Sequence, residues 1–130
     1  MAEHVLTLED NAKDSFTVGV EMYLDRSNPM GWKYALLLVG QALELFLKAR
    51  LSKANPALIF VDPSKAHDPN AKTVYYEEAV KRLITLGLSF TGQDLGDIKF
   101  VRDLRNRVEH NEIKVDQLLV DTYLSRAMRF

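Results

Sequence analysis

Apolar residues recur at helical spacing in five stretches, and no two-residue alternation runs long enough to specify a strand. Across 7–25, Leu8, Ala12, Phe16, Val20 and Tyr23 form one stripe, and Glu9, Lys13 and Glu21 lie off it. Thr7 is placed to cap this helix, with Glu9, Asp10 and Asp14 near its positive end. Arg26-Ser27-Asn28-Pro29 breaks the pattern, and Asn28 is expected to cap the next helix with Pro29 at its first position. That second helix, 29–53, is the most apolar element: Trp32, Leu36, Val39, Leu43, Phe46 and Leu47 give a wide face, and Ala35, Leu38, Ala42, Leu45 and Ala49 cover much of the remainder. A helix apolar nearly all round is surrounded by others. Its midpoint, Leu38 to Phe46, should be among the least exposed parts of the fold. Glu44 and Lys48, four apart, are expected to pair on its exposed strip. The sharper alternative is a Glu44 buried near a functional site.

Residues 55–72 read as an irregular linker, because Pro56, Pro63 and Pro69 oppose helix there. Leu58-Ile59-Phe60-Val61 is too apolar to float free and should pack across the bundle, whereas His67 reads as a surface residue. Thr73 is expected to begin a third helix over 74–86, with Tyr76, Ala79, Val80 and Leu83 inward and Gly87 as its stop. After a turn at 89–92, a fourth helix runs over 93–110 on the stripe Ile98, Val101, Leu104 and Val108. Residues 111–113 interrupt the pattern. A fifth helix, 114–128, sets Lys114, Gln117, Asp121 and Ser125 on a polar face and Leu118, Leu119, Tyr123, Leu124 and Met128 on the rest. The pattern predicts an all-α fold, a bundle of four or five helices forming one domain over 1–130.

Composition narrows the function classes. Seventeen Lys and Arg stand against eighteen Asp and Glu, a balance that argues against a broad electrostatic grip on nucleic acid but not against a small basic site. With no Cys there is neither a disulfide framework nor a thiolate metal site. His4, His67 and His110 are far apart in sequence, and no helix pairs carboxylates with a His at ligand spacing, so neither metal nor cofactor is expected. Met-Ala-Glu-His does not read as a signal peptide, and Gln41, Glu44 and Lys48 interrupt the longest apolar stretch; a cytoplasmic protein with no membrane partner is expected.

The chemistry concentrates at the end of the fourth helix, in Arg102-Asp103-Leu104-Arg105-Asn106-Arg107-Val108-Glu109-His110. Arg is always charged and forks onto phosphate oxygens, and His titrates near neutral pH. Together they supply what a phosphodiester needs to be cleaved without a metal. Asn106 and His110, four apart, share a helical face and can hydrogen-bond, which would fix the imidazole's orientation. Arg105 and His110, five apart, are separated by roughly 140° around the axis. One helix therefore does not aim both at one point: either the helix ends before His110, or two copies of the motif face each other in a two-fold dimer. The bland reading pairs Arg105 with Glu109 and leaves His110 as a helix-terminal residue favoured by the dipole.

Arg105-Asn106-Arg107-Val108-Glu109-His110 resembles the Arg-Asn-x-x-x-His motif of the HEPN superfamily. The second-helix stretch from Gln41 to Leu51 and the order of elements resemble that superfamily as well. The resemblance implies a HEPN-like helical bundle that dimerises with its motifs facing, and many such proteins are metal-independent endoribonucleases, including toxins and defence proteins. It implies Arg105, Asn106 and His110 as the active-site residues and RNA as the substrate, with an antitoxin or a nucleotidyltransferase as a partner. His110 would transfer protons while the 2′-OH attacks phosphorus, and Arg105 would stabilise charge on the phosphorane oxygens. Some toxin members carry Tyr two residues after the His, where an antitoxin modifies it; here that position is Glu112. Asp103, Glu109 and Glu112 would repel RNA unless paired with Arg102 and Arg107. Other members are non-catalytic modules, so the alternative is a helical module that binds a nucleotide, RNA or a protein partner.

Overall fold

The most apolar stretch of the sequence becomes the axis of the molecule. The computed structural model describes residues 6–25, 27–110 and 114–129. Among these the chain forms α1 (Leu8–Leu24), α2 (Gly31–Ala54), α3 (Tyr76–Thr85), α4 (Gly92–His110) and α5 (Gln117–Arg129). The fold is an all-α bundle, and α2 packs against each of the other four helices. Leu36, Val39, Leu43, Leu47 and Leu51 line its core stripe at three- and four-residue intervals and are nearly inaccessible. Burying each such side chain contributes roughly 1.5–3 kcal/mol. Around them close Tyr76, Ala79, Val80 and Leu83 of α3, Ile98, Val101 and Leu104 of α4, and Val120, Tyr123 and Leu124 of α5. Within the midpoint of α2, Val39, Gly40, Ala42, Leu43 and Glu44 are buried, whereas Gln41 and Phe46 reach the surface. Leu118 and Met128, expected on the apolar side of the last helix, are instead exposed.

The ends of the helices follow local chemistry. Thr7 caps α1 as expected, its Oγ1 accepting from Asp10 N at 3.0 Å. Asn28 does not cap α2. Its Oδ1 accepts from Met30 N at 2.9 Å, closing a side-chain turn that leaves Pro29 outside a helix beginning at Gly31. Thr91 and Asp94 close α4 with reciprocal bonds of 3.0 and 2.9 Å, a capping box with Asp in place of Glu. Gly87 ends the third helical run at φ 97, a left-handed conformation that costs Gly little and other residues more. Asp116 caps α5 through Leu119 N at 2.8 Å, so Lys114 precedes the helix rather than lying on its polar face.

Thr73 does not begin the third helix. Residues 59–61 and 72–74 run as a short antiparallel bridge, with Val61 N donating to Lys72 O at 2.9 Å and Val74 N to Ile59 O at 2.8 Å. Helix α3 starts at Tyr76 instead. The linker also contains two 3₁₀ turns, Pro56–Ile59 and Pro63–Lys65, started by Asn55 and Asp62. Leu58 and Ile59 pack against the core as expected, while Val61 is exposed. Arg82 of α3 fastens this segment: Nη1 donates to Leu58 O at 2.7 Å and Phe60 O at 2.5 Å, and Nη2 to Val61 O at 3.0 Å. Polar contacts also join the helices. Tyr23 of α1 donates to Asp121 of α5, and Arg126 of α5 pairs with the buried Asp97 of α4 at 2.7 Å, its guanidinium stacked on Phe100.

Candidate active site at the end of the fourth helix

Arg105 leaves α4 toward α2, where Gly40 makes room for it. A Cβ at Gly40 would lie 2.9 Å from Arg105 Cδ and 2.5 Å from Tyr123 Oη. One turn further along α2, Glu44 Oε2 accepts from Arg105 Nη1 at 3.1 Å, and Glu44 Oε1 faces Lys48 Nζ at 3.2 Å. Lys48 Nζ also donates to Thr73 Oγ1 at 2.8 Å, which occupies the hydroxyl that the sequence assigned to a helix cap. The pairing of Glu44 with Lys48 is as expected, but its placement on an exposed strip is corrected: the two side chains are 9% and 10% exposed. The buried alternative for Glu44 describes the structure. Apolar residues cover almost the whole circumference of α2, so packing against α4 decides which polar strip is enclosed.

Two phenols complete the inner wall. Tyr76 donates to Gly40 O, and Tyr123 donates to Leu36 O at 2.5 Å. Burial pushes the Tyr76 phenol far up, with Arg105's charge offsetting part of the effect and Glu44's adding to it. Burial likewise raises Tyr123, reinforced by Tyr76 beside it. Both therefore stay protonated near neutral pH and act as hydrogen-bond donors to the backbone rather than as proton carriers.

The outer end is open. His110 closes α4 with its side chain 73% exposed and Nε2 3.7 Å from Glu109 Oε2. Helix α4 does not end before His110, contrary to one of the two expected ways of reconciling the motif. Nevertheless Arg105 and His110 border the same cleft in a single chain, a space of about 460 Å³ that also meets Tyr75, Tyr76, Arg102, Asn106 and Glu109. The cleft runs along the last turns of α4 and the start of α3, so its width spans the angular offset that one helix imposes. A hydrogen bond between Asn106 and His110 does not form, and Asn106 is exposed: the structure leaves the imidazole without that orienting partner.

Among the described residues, the carboxylates around the motif are paired. Arg102 binds Asp103 at 2.9 Å and also Glu77 of α3. Desolvation pulls on the Arg102 guanidinium, yet these hydrogen bonds outweigh it and raise its pKa. Glu109 Oε1 lies 3.7 Å from Arg105 Nη2, so the bland pairing is present as a longer contact beside the one with Glu44. The half-exposed Glu109 faces the outer nitrogen of Arg105 while Glu44 holds the inner one. Arg107 points to solvent. His67 is exposed in the linker, and His4, Glu112 and the break at 111–113 lie outside the described residues.

The sequence singled out Arg105, Asn106 and His110 as candidates but not Gly40, Thr73 or the tandem Tyr75-Tyr76, which tertiary packing brings to their surroundings. Among the described residues no three His, Asp or Glu side chains cluster as a metal site, and no helix is long and apolar enough to cross a membrane. No family model, no curated protein and no solved structure matches the chain.

Proposed function

We propose that the chain is a HEPN-like, cytoplasmic endoribonuclease that cleaves RNA by attack of the 2′-OH on the adjacent phosphorus. The observation that carries this reading is the convergence of Arg105, Asn106 and His110 on one open cleft, with the Arg105 guanidinium anchored by a buried carboxylate. In the reaction, the 2′ oxygen forms a bond to phosphorus, the P–O5′ bond breaks, and the products are a 2′,3′-cyclic phosphate and a 5′-hydroxyl. His110 takes the 2′ proton, and Arg105 stabilises negative charge on the non-bridging oxygens. Held by Glu44, the Arg105 fork loses little freedom on meeting a phosphate.

A two-fold homodimer with facing motifs would add a second imidazole, able to supply a proton to the departing 5′ oxygen. Sedimentation at micromolar concentration tests it, and a monomer there counts against facing motifs. An antitoxin or a nucleotidyltransferase would be the partner of such a nuclease in a toxin–antitoxin or phage-defence system.

Purified protein should cut single-stranded RNA in EDTA and leave DNA intact. His110→Ala should lower the rate on the order of 10²–10⁴-fold. Arg105→Lys, which keeps charge but not the planar fork, should also be impaired, and Asn106→Ala should be milder. Cleavage that persists unchanged without His110 would assign the activity to something else. A specific observation favours a second reading: among the described residues the imidazole has no orienting hydrogen bond, and Glu109 stands beside it. If the wild-type protein cleaves none of several RNAs, a non-catalytic module that binds a nucleotide, RNA or a protein partner through this cleft becomes the better account.

A further inference from the structure

Tyr75 and Tyr76 are adjacent in sequence and opposite in fate. Tyr76 is 1% exposed and bonded to the α2 backbone, whereas Tyr75 is 73% exposed. The extended backbone at Tyr75, φ −100 and ψ −176, turns the two rings apart. Burial of Tyr76 anchors the backbone from which the Tyr75 side chain leaves. Tyr75 is outside the core cluster, and its phenol makes no hydrogen bond among the described residues. An aromatic ring so exposed adds little to the core, yet it lines the cleft that Arg105 and His110 border.

From this placement we infer that Tyr75 is a substrate-binding residue, a platform on which a nucleobase next to the scissile phosphate of single-stranded RNA stacks. The inference rests on the ribonuclease reading for the identity of the ligand. Its own support is the pairing, within one cleft of about 460 Å³, of a guanidinium for phosphate and a free aromatic face for a base. Unpaired bases offer both faces for stacking, whereas bases within a duplex do not. Stacking on a ring is tolerant of base identity, so the platform sets strandedness and register more than sequence. It also compensates for the near-neutral charge of the chain, since affinity need not come from phosphate contacts alone.

The test uses the full chain carrying His110→Ala, so that RNA is bound but not cut, and a fluorescein-labelled single-stranded RNA read by anisotropy. Adding Tyr75→Ala should weaken binding about 5- to 100-fold, and Tyr75→Phe should bind as the parent does. RNAs with one abasic nucleotide moved along the strand should show a position where the abasic site weakens the parent but not the Tyr75→Ala protein. In the chain with His110 intact, Tyr75→Ala should raise KM and leave kcat nearly unchanged. Unaltered affinity in Tyr75→Ala, equal losses for Ala and Phe, or abasic effects that simply add to the mutation would each overturn the platform. Cleavage with a KM indifferent to Tyr75 removes the platform and keeps the nuclease. Tyr75-dependent binding with no cleavage by the wild type removes the nuclease and keeps the platform. Absence of both binding and cleavage overturns both.

Discussion

At its inner end the cleft holds Arg105 between a buried carboxylate and the phenols of Tyr76 and Tyr123, with Lys48 and Thr73 completing the chain of contacts. At its outer end His110, Asn106 and Tyr75 stand in solvent, and none donates or accepts a side-chain hydrogen bond within the described chain. The charged group that would meet a phosphate is therefore preorganised by the fold, while the group that would move a proton must be oriented by what binds. Such a division concentrates stability on one side and adaptability on the other.

The comparison is open to attack by mutation. Glu44→Ala would strand Lys48 and Arg105 without their shared carboxylate and should cost about 3–5 kcal/mol in urea denaturation, the largest effect expected around the cleft. Glu44→Gln keeps the shape and should fall between that variant and the wild type. Gly40→Ala drives a methyl group against Tyr123 and Arg105 and should cost about 1–3 kcal/mol, with Arg105 displaced toward solvent. Thr73→Val removes the hydroxyl from Lys48 and should cost about 1 kcal/mol. His110→Ala and Asn106→Ala should each stay within about 0.5 kcal/mol of the wild type in the same denaturation experiment. If the outer substitutions proved as costly as Glu44→Ala, the contrast between the two ends would collapse.

The third helix was legible because a clear 3.6-residue period survives in it, and Tyr76, Ala79, Val80 and Leu83 turned inward as their spacing required; α2 was legible from its length and its nearly continuous apolar surface. What the pattern could not decide was competition for a polar group. Thr73 has a good capping side chain, but Lys48, twenty-five residues earlier, takes its hydroxyl. Asn28 is a good cap as well, yet it closes its own turn two residues on. The candidates Arg105, Asn106 and His110 came from the motif, and they border one cleft. The aromatic wall was not readable from it, because Tyr75 comes from a different helix's entrance and only the burial of Tyr76 sets its direction. Periodicity puts position 97 on the stripe of Val101, Leu104 and Val108, but it could not foresee that the carboxylate of Asp97 would be held there by Arg126 from a helix later in the chain.

The clamp of Arg82 on the linker has a practical consequence. Between residues 59–61 and 72–74, which the bridge joins, the intervening residues are tied at their base, and most of them are exposed. Chain added there lengthens a loop whose ends are already closed, and doubling such a loop costs only about 0.6 kcal/mol. The protein has no cysteine of its own. A single thiol at the exposed Lys65 would give a dye one chemical address, on a handle the fold has already fastened, from which events in the cleft could be reported without touching any residue that lines it.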